Sequence, residues 1–156
     1  MSLLLARAAV NDANIHFDRL YSYLIPAQLV GKVYPGSMVL VPFGRGNKAR
    51  MAVVLAVEEA EEADAPQRLK SLYDAAPEEA RLTPDLLELV RFLKERTFCT
   101  WFEAVKAVIP YGAQYRPAMV DGRPVMQSRL TRSTEKLYTL ARALPEKPKP
   151  GPRQLA

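Results

Sequence analysis

The chain is poor in the residues that most catalytic chemistry needs. Its 156 residues hold one cysteine, Cys99, and one histidine, His16. A lone cysteine excludes a disulfide framework. One cysteine and one histidine leave no protein-built ligand set for zinc. A Ser-His-Asp or Cys-His arrangement would have to rest on His16, which reads as a loop residue before an apolar run. No glycine-lysine phosphate loop occurs. The acids of the middle segment read as a solvated loop, not as paired acid–base carboxylates. No apolar run approaches the length of a membrane-spanning helix. The apolar opening Leu3-Leu4-Leu5 is broken by Arg7, too soon for a signal peptide. These absences point to binding rather than catalysis. The expectation is no catalytic residue, no metal, no cofactor in this chain and no membrane partner, in a reduced, cytoplasmic compartment.

What is present is apolar and basic. Hydrophobic residues make up 49% of the chain and the formal net charge is +5. Residues 1–57 hold six Lys/Arg against two Asp/Glu, residues 58–104 six against twelve, and residues 105–156 ten against three. The local balances are +4, −6 and +7. A basic front, an acidic middle and a basic tail fit a polyanion contacted by one face, although a solvated tail has the same signature.

Five short strands are predicted before any helix: residues 3–10, 21–25, 37–43, 50–58 and 67–73. Pro35-Gly36 and a run of like charges at 58–66 supply the loops. This pattern predicts a small antiparallel β-barrel. The period then changes. Thr83-Pro84-Asp85 starts a helix with a capping hydroxyl, a proline at the first position and an early acid. Thr100 and Glu103 have capping-box spacing, and a second helix runs from there to Val108. Beyond Tyr115 the pattern weakens to a lone strand over 126–131, a short helix from Ser133 or Thr134 to Ala143, and a proline-rich linker over 145–152. The chain stops at Gln154-Leu155-Ala156, where a helix would begin, and reads as a piece of something longer.

Binding residues are sought among rings and cations near loops. Tyr21 and Tyr23 are two apart and share a strand face. An exposed ring can stack a base for roughly 1–3 kcal/mol, while a buried one is core, as at least one of the two should be. Gly44 follows the strand Met38-Val39-Leu40-Val41-Pro42-Phe43 and lets a ligand approach the main chain. Arg45, Lys48 and Arg50 make that ligand anionic. Lys70, between Leu69 and Leu72, is either a phosphate contact or a solvated lysine. Trp101 and Phe102 are read as helix-packing residues.

Taken together, these residues resemble a known family. Asp18-Arg19-Leu20-Tyr21-Ser22-Tyr23-Leu24-Ile25-Pro26 is similar to the opening of primosomal protein N′, the replication-restart helicase PriA, which reads acid-Arg-x-aromatic-x-Tyr-x-x-Pro there. Gly36 to Gly44 matches its Gly-x-x-Val-x-Val-Pro-Phe-Gly segment. Ala52-Val53-Val54, Leu69-Lys70, Leu82-Thr83-Pro84, Phe102-Glu103-Ala104-Val105 and Ile109-Pro110 follow in the family's order. The resemblance covers about residues 4–117.

The resemblance implies an α+β, mainly β fold: an OB-like or SH3-like barrel over about 3–75 and two packed helices over about 84–109. Residues 1–117 would be a 3′ DNA-binding domain, and 118–156 a linker and the incomplete start of a winged helix. The implied function is recognition of the 3′ end of the nascent leading strand at a stalled fork. The implied terminal-nucleotide site is Tyr21, Ser22, Tyr23, Gly44 and Lys70, with Arg45, Lys48 and Arg50 as weaker backbone contacts. Ser22 stands where many members have Asp. A carboxylate accepts several hydrogen bonds where a serine offers one hydroxyl, so the expectation is a weaker grip or one supplied by backbone groups. The resemblance assigns ATP, Mg and zinc to the longer protein, an ATP-dependent 3′–5′ DNA helicase. It also implies forked DNA, other primosome proteins and single-stranded DNA-binding protein as partners. The competing reading is a protein-interaction barrel that docks on the helicase core or on another restart factor.

Overall fold

The computed structural model describes residues 2–11, 14–62, 68–110 and 114–129. Its main sheet contains β1 (Ser2–Val10), β2 (Tyr21–Leu24), β3 (Met38–Phe43), β4 (Lys48–Glu61), β5 (Lys70–Ser71) and β6 (Asp74–Ala75). The strand order is β5-β2-β1-β4-β3-β6. β5 and β6 are consecutive pieces of one segment, and they lie on opposite edges of the sheet. Lys70 pairs with Tyr23 and Ser71 with Leu24, whereas Asp74 pairs with Leu40 and Ala75 with Val39. Between them, the Leu72 N–H donates to the Leu24 carbonyl at 3.0 Å and the Tyr73 N–H to the Leu40 carbonyl at 2.8 Å. A single segment thus joins both edges and closes the sheet into a small barrel, leaving few strand edges unpaired.

The two faces of the sheet are filled differently. Ala6, Ala8, Val10, Val39, Val41, Ala52 and Val54 point into the barrel with Tyr23, Ile25 and Leu72. Small side chains suit a narrow interior. On the outer face Met38, Met51, Val53 and Leu55 meet the helices. The alternation along β4 is the period-two signature of a strand buried on both sides. A register shift between Arg7 and Ala8 lets β1 follow the curvature.

The helices are α1 (Pro84–Arg96) and α2 (Trp101–Val108). The Thr83 hydroxyl caps α1 by accepting from the Leu86 N–H. α2 has a full capping box: the Thr100 N–H donates to Glu103 Oε2 at 2.7 Å, and the Glu103 N–H donates to Thr100 Oγ1 at 3.2 Å. These bonds to Thr100 hold the Glu103 carboxyl below its usual pKa. Leu87, Val90, Phe102, Val105 and Val108 bury the helices against the barrel. Phe102 is core and Trp101 is half-buried against it, as expected of packing residues.

Three sequence expectations need correction. The acidic loop at 58–66 does not begin at Glu58: β4 continues to Glu61 along β1. Glu58 and Glu59 are exposed, so their charges stay in water while the backbone pairs. The fifth strand over 67–73 is two short strands, β5 and β6, because the segment changes partner midway; residue 67 lies outside the described residues. The lone strand over 126–131 is instead a hairpin of β7 (Tyr115–Val120) and β8 (Arg123–Ser128). Its two-residue turn is Asp121-Gly122, both with positive φ. Asp-Gly is the strongest short hairpin signal, and it was present in the sequence. The boundary drawn at 117/118 falls inside this hairpin. The helix from 133 or 134 and the linker over 145–152 lie outside the described residues.

Candidate nucleic-acid interface

The barrel seam is closed by β5 and β6 only over part of its length. β5 covers Tyr23 and Leu24 on β2, and β6 covers Val39 and Leu40 on β3. Beyond them, Tyr21 at the start of β2 and Pro42-Phe43 at the end of β3 face each other across an open mouth. Proline fits there because no sixth-strand acceptor requires its missing N–H. The mouth is a cleft of roughly 870 Å³ bordered by Phe17, Arg19, Tyr21, Ser22, Tyr23, Pro42, Phe43, Gly44, Arg45, Arg68 and Lys70.

The structure brings together Tyr21, Ser22, Tyr23, Gly44, Lys70 and Arg45. Tyr23 is the core ring of the two tyrosines, 3% exposed. Its hydroxyl donates to the Pro42 carbonyl at 3.3 Å and so braces β2 against β3. Burial, reinforced by neighbouring Tyr21, pushes the Tyr23 phenol up to about 12. Tyr21 is half-buried and is the more accessible ring of the two. It stands edge-on to Phe43, with centroids 5.2 Å apart and planes at 89°. Its hydroxyl donates to the Phe17 carbonyl at 2.9 Å, and the Arg19 guanidinium lies 5.1 Å from its centroid. A ring held on three sides is a preorganised surface.

Lys70 spans the seam. Its Nζ donates to the Gly44 carbonyl at 2.8 Å, and an ammonium has three protons to give, so donors remain for an anion. Gly44 has φ +72, and a Cβ placed there would meet no atom within 4 Å. The backbone is therefore open on that side. The same positive φ also makes any substitution strained, which the sequence did not reveal. Ser22 faces away from the two rings: its Oγ accepts from Arg7 Nη1 at 2.6 Å, across the register pair Arg7–Ser22.

The other two loop cations are placed differently. Lys48 starts β4, exposed and opposite Phe43. Arg50 borders a separate cleft with Met51, Phe102, Lys106, Tyr115 and Arg129. Sequence reasoning missed Phe17, Arg19, Phe43 and Arg68. Arg19 and Phe43 stand inside the Asp-Arg-x-aromatic and Pro-Phe-Gly motifs, so a signal existed. Phe17 and Arg68 carried none. The motif's Asp18 plays a structural part: its Oδ2 pairs with Lys94 Nζ at 2.6 Å, and its Oδ1 accepts the Trp101 N–H at 2.9 Å. This fixes the strand that carries Tyr21 to the helices.

Among the described residues, no helix is long and apolar enough to cross a membrane. Comparison with known proteins supplies the family. Residues 9–110 match the family model described as the 3′ DNA-binding domain (3′BD) of PriA. The chain is 29% identical over 100 residues to the replication restart protein PriA of Chlamydia trachomatis, covering 62% of this chain and 13% of the relative. It is 30% identical over 107 residues to the replication restart protein PriA of Bacillus subtilis, covering 67% of this chain and 13% of the relative. The chain thus spans only a small part of the length of the relatives it matches. The family match covers most of the barrel, both helices and the cleft between β2 and β3. The chain belongs to the PriA 3′ DNA-binding domain family.

Proposed function

We propose that the cleft between β2 and β3 holds the 3′-terminal nucleotide of a DNA strand, in the full protein the nascent leading strand at a stalled fork. The observation that carries this reading is convergence. Tyr21, Gly44 and Lys70, far apart in sequence, border one mouth. Tyr21 presents a ring for the terminal base, the Gly44 backbone admits the sugar, and Lys70 and Arg45 face the phosphate. The buried Tyr23 and the Phe43 ring line the cleft beside Tyr21. Arg45 and Lys48 add sequence-independent attraction that salt screens. We further propose that the longer protein is an ATP-dependent 3′–5′ helicase whose ATP, Mg and zinc sites lie in other domains. It would act in the cytoplasm with forked DNA, other primosome proteins and single-stranded DNA-binding protein.

Fluorescence anisotropy tests the end-binding reading. A labelled single strand with a free 3′ end is compared with the same strand whose 3′ end is folded into a hairpin. The free end should bind about tenfold tighter, the scale of one well-placed stacking contact. Equal affinities would sink the proposal.

A further inference from the structure

We propose that Phe17 is a second stacking platform, which holds the base of the nucleotide before the 3′-terminal one; this inference rests on the end-binding reading above. Apolar side chains are common on protein surfaces, and exposure alone carries no function. Phe17 is set apart by its place. Among the described residues the exposed phenylalanines are Phe17, Phe92 and Phe98. Phe92 belongs to α1 and Phe98 to the connection between the helices, whereas Phe17 borders the cleft between β2 and β3. Its ring is 65% exposed and packs in neither hydrophobic core. The fold therefore gains little from having a ring at this position.

The backbone that carries the ring is nonetheless fixed. Phe17 ends a single helical turn, Ile15–Phe17. Asn14 starts that turn: its Oδ1 accepts from the His16 N–H at 3.1 Å, and its carbonyl accepts from the Phe17 N–H at 2.9 Å. The Phe17 carbonyl in turn accepts from the Tyr21 hydroxyl at 2.9 Å. Both polar groups of the Phe17 backbone are thus used, and one of them ties Phe17 to the outer end of the Tyr21 ring. A base lying on Tyr21 then leaves its 5′ neighbour beside Phe17. Single strands are held by successive rings with cations along the backbone. Arg19 and Arg68 border the same cleft, and no Asp or Glu does among the described residues, so the phosphate joining the two nucleotides meets positive charge. Stacking uses the face of a base and not its edge, so this subsite takes any of the four bases.

The test uses the full chain and labelled single strands of one sequence with a free 3′ end. One strand is intact, one lacks the base of the nucleotide before the last, and one lacks a base far from the end. A fourth has its 3′ end sealed in a hairpin. Loss of the penultimate base should weaken binding about tenfold, the scale of one stacked base, and loss of the distant base should change nothing. Phe17→Ala should cost about tenfold on the intact strand and nothing on the strand without the penultimate base. Phe17→Tyr should keep the affinity for both. Urea denaturation checks that the Phe17→Ala protein folds as the parent does. If Phe17→Ala weakens both strands equally, Phe17 only supports the turn and the inference is overturned. If the penultimate base can be removed at no cost while the sealed end binds weakly, the inference is also overturned and end binding stands. If the sealed end binds as tightly as the free one, end binding itself fails.

Discussion

Strand β3 has a glycine at each end, and the two do different work. Gly36 precedes the strand with φ +94, and a Cβ there would lie 2.2 Å from the Leu82 carbonyl oxygen. Its N–H donates to Val54 at 2.7 Å, and its carbonyl accepts from Leu82 at 3.0 Å. The Gly36 backbone ties the barrel to the segment leading into α1. Gly44, at the other end, has nearly the same backbone twist and open space around it. One glycine is closed in by the fold and the other is left open at the cleft. The first is needed to fold and the second is the one we propose to serve binding, although both read as glycine in a turn.

Substitutions can break that comparison. Gly36→Ala has the largest expected effect. The methyl group collides with backbone that cannot yield and the φ is unfavourable, so stability should fall by about 3 kcal/mol or more. Urea denaturation measures it, and a loss under about 1 kcal/mol would mean that the Gly36–Leu82 contact relaxes. Gly44→Asn should do the reverse. Asparagine tolerates a left-handed backbone, so folding should lose no more than about 1 kcal/mol. Its side chain would enter the mouth, and affinity for a free 3′ end should fall about tenfold, on the scale of one lost stacked base. Equal losses in folding and binding would remove the distinction between the two ends.

Lys70→Ala comes next. Its bond to the Gly44 carbonyl is exposed, so its removal should cost under about 1 kcal/mol of stability. Affinity should fall about fivefold, and the slope of log affinity against log salt should shrink by about one unit. The last effect, confined to alkaline pH, concerns Tyr23. Its phenol holds its proton more tightly folded than unfolded, so its contribution is complete below about pH 10 and is lost as pH rises toward about 12. Tyr23→Phe should flatten that alkaline loss at a cost of about 1 kcal/mol for the bond to Pro42. An ultraviolet titration that finds Tyr23 ionising with the exposed tyrosines would contradict its burial.

Several features were legible locally. The hydroxyl caps Thr83 and Thr100 act within one turn of backbone, so a few consecutive residues specify them. The same holds for the alternation of Val53 and Val54 between two cores. The Asp121-Gly122 turn is equally local, two residues with positive φ between paired strands. Other features were not legible. Nothing near Lys70 indicates that its segment changes partner strand after two residues. The extension of β4 through four residues from Glu58 depends on β1, which lies far away in sequence. Arg50 follows the basic loop as closely as Lys48 does, yet the strand places it on another cleft.

The sequence by itself determined a helix-backed β-barrel, basic near one loop, with a ring pair and a glycine in the order of a DNA-binding family. Those properties reside in residue type and short spacing. Only the tertiary structure decided that Tyr21 is the available ring and Tyr23 the buried one, that Lys70 reaches Gly44, and that Ser22 is paired with Arg7. Each of these follows from barrel closure, which brings together strands distant in sequence. Local propensity has no means of expressing such register, because it is set by pairing between strands.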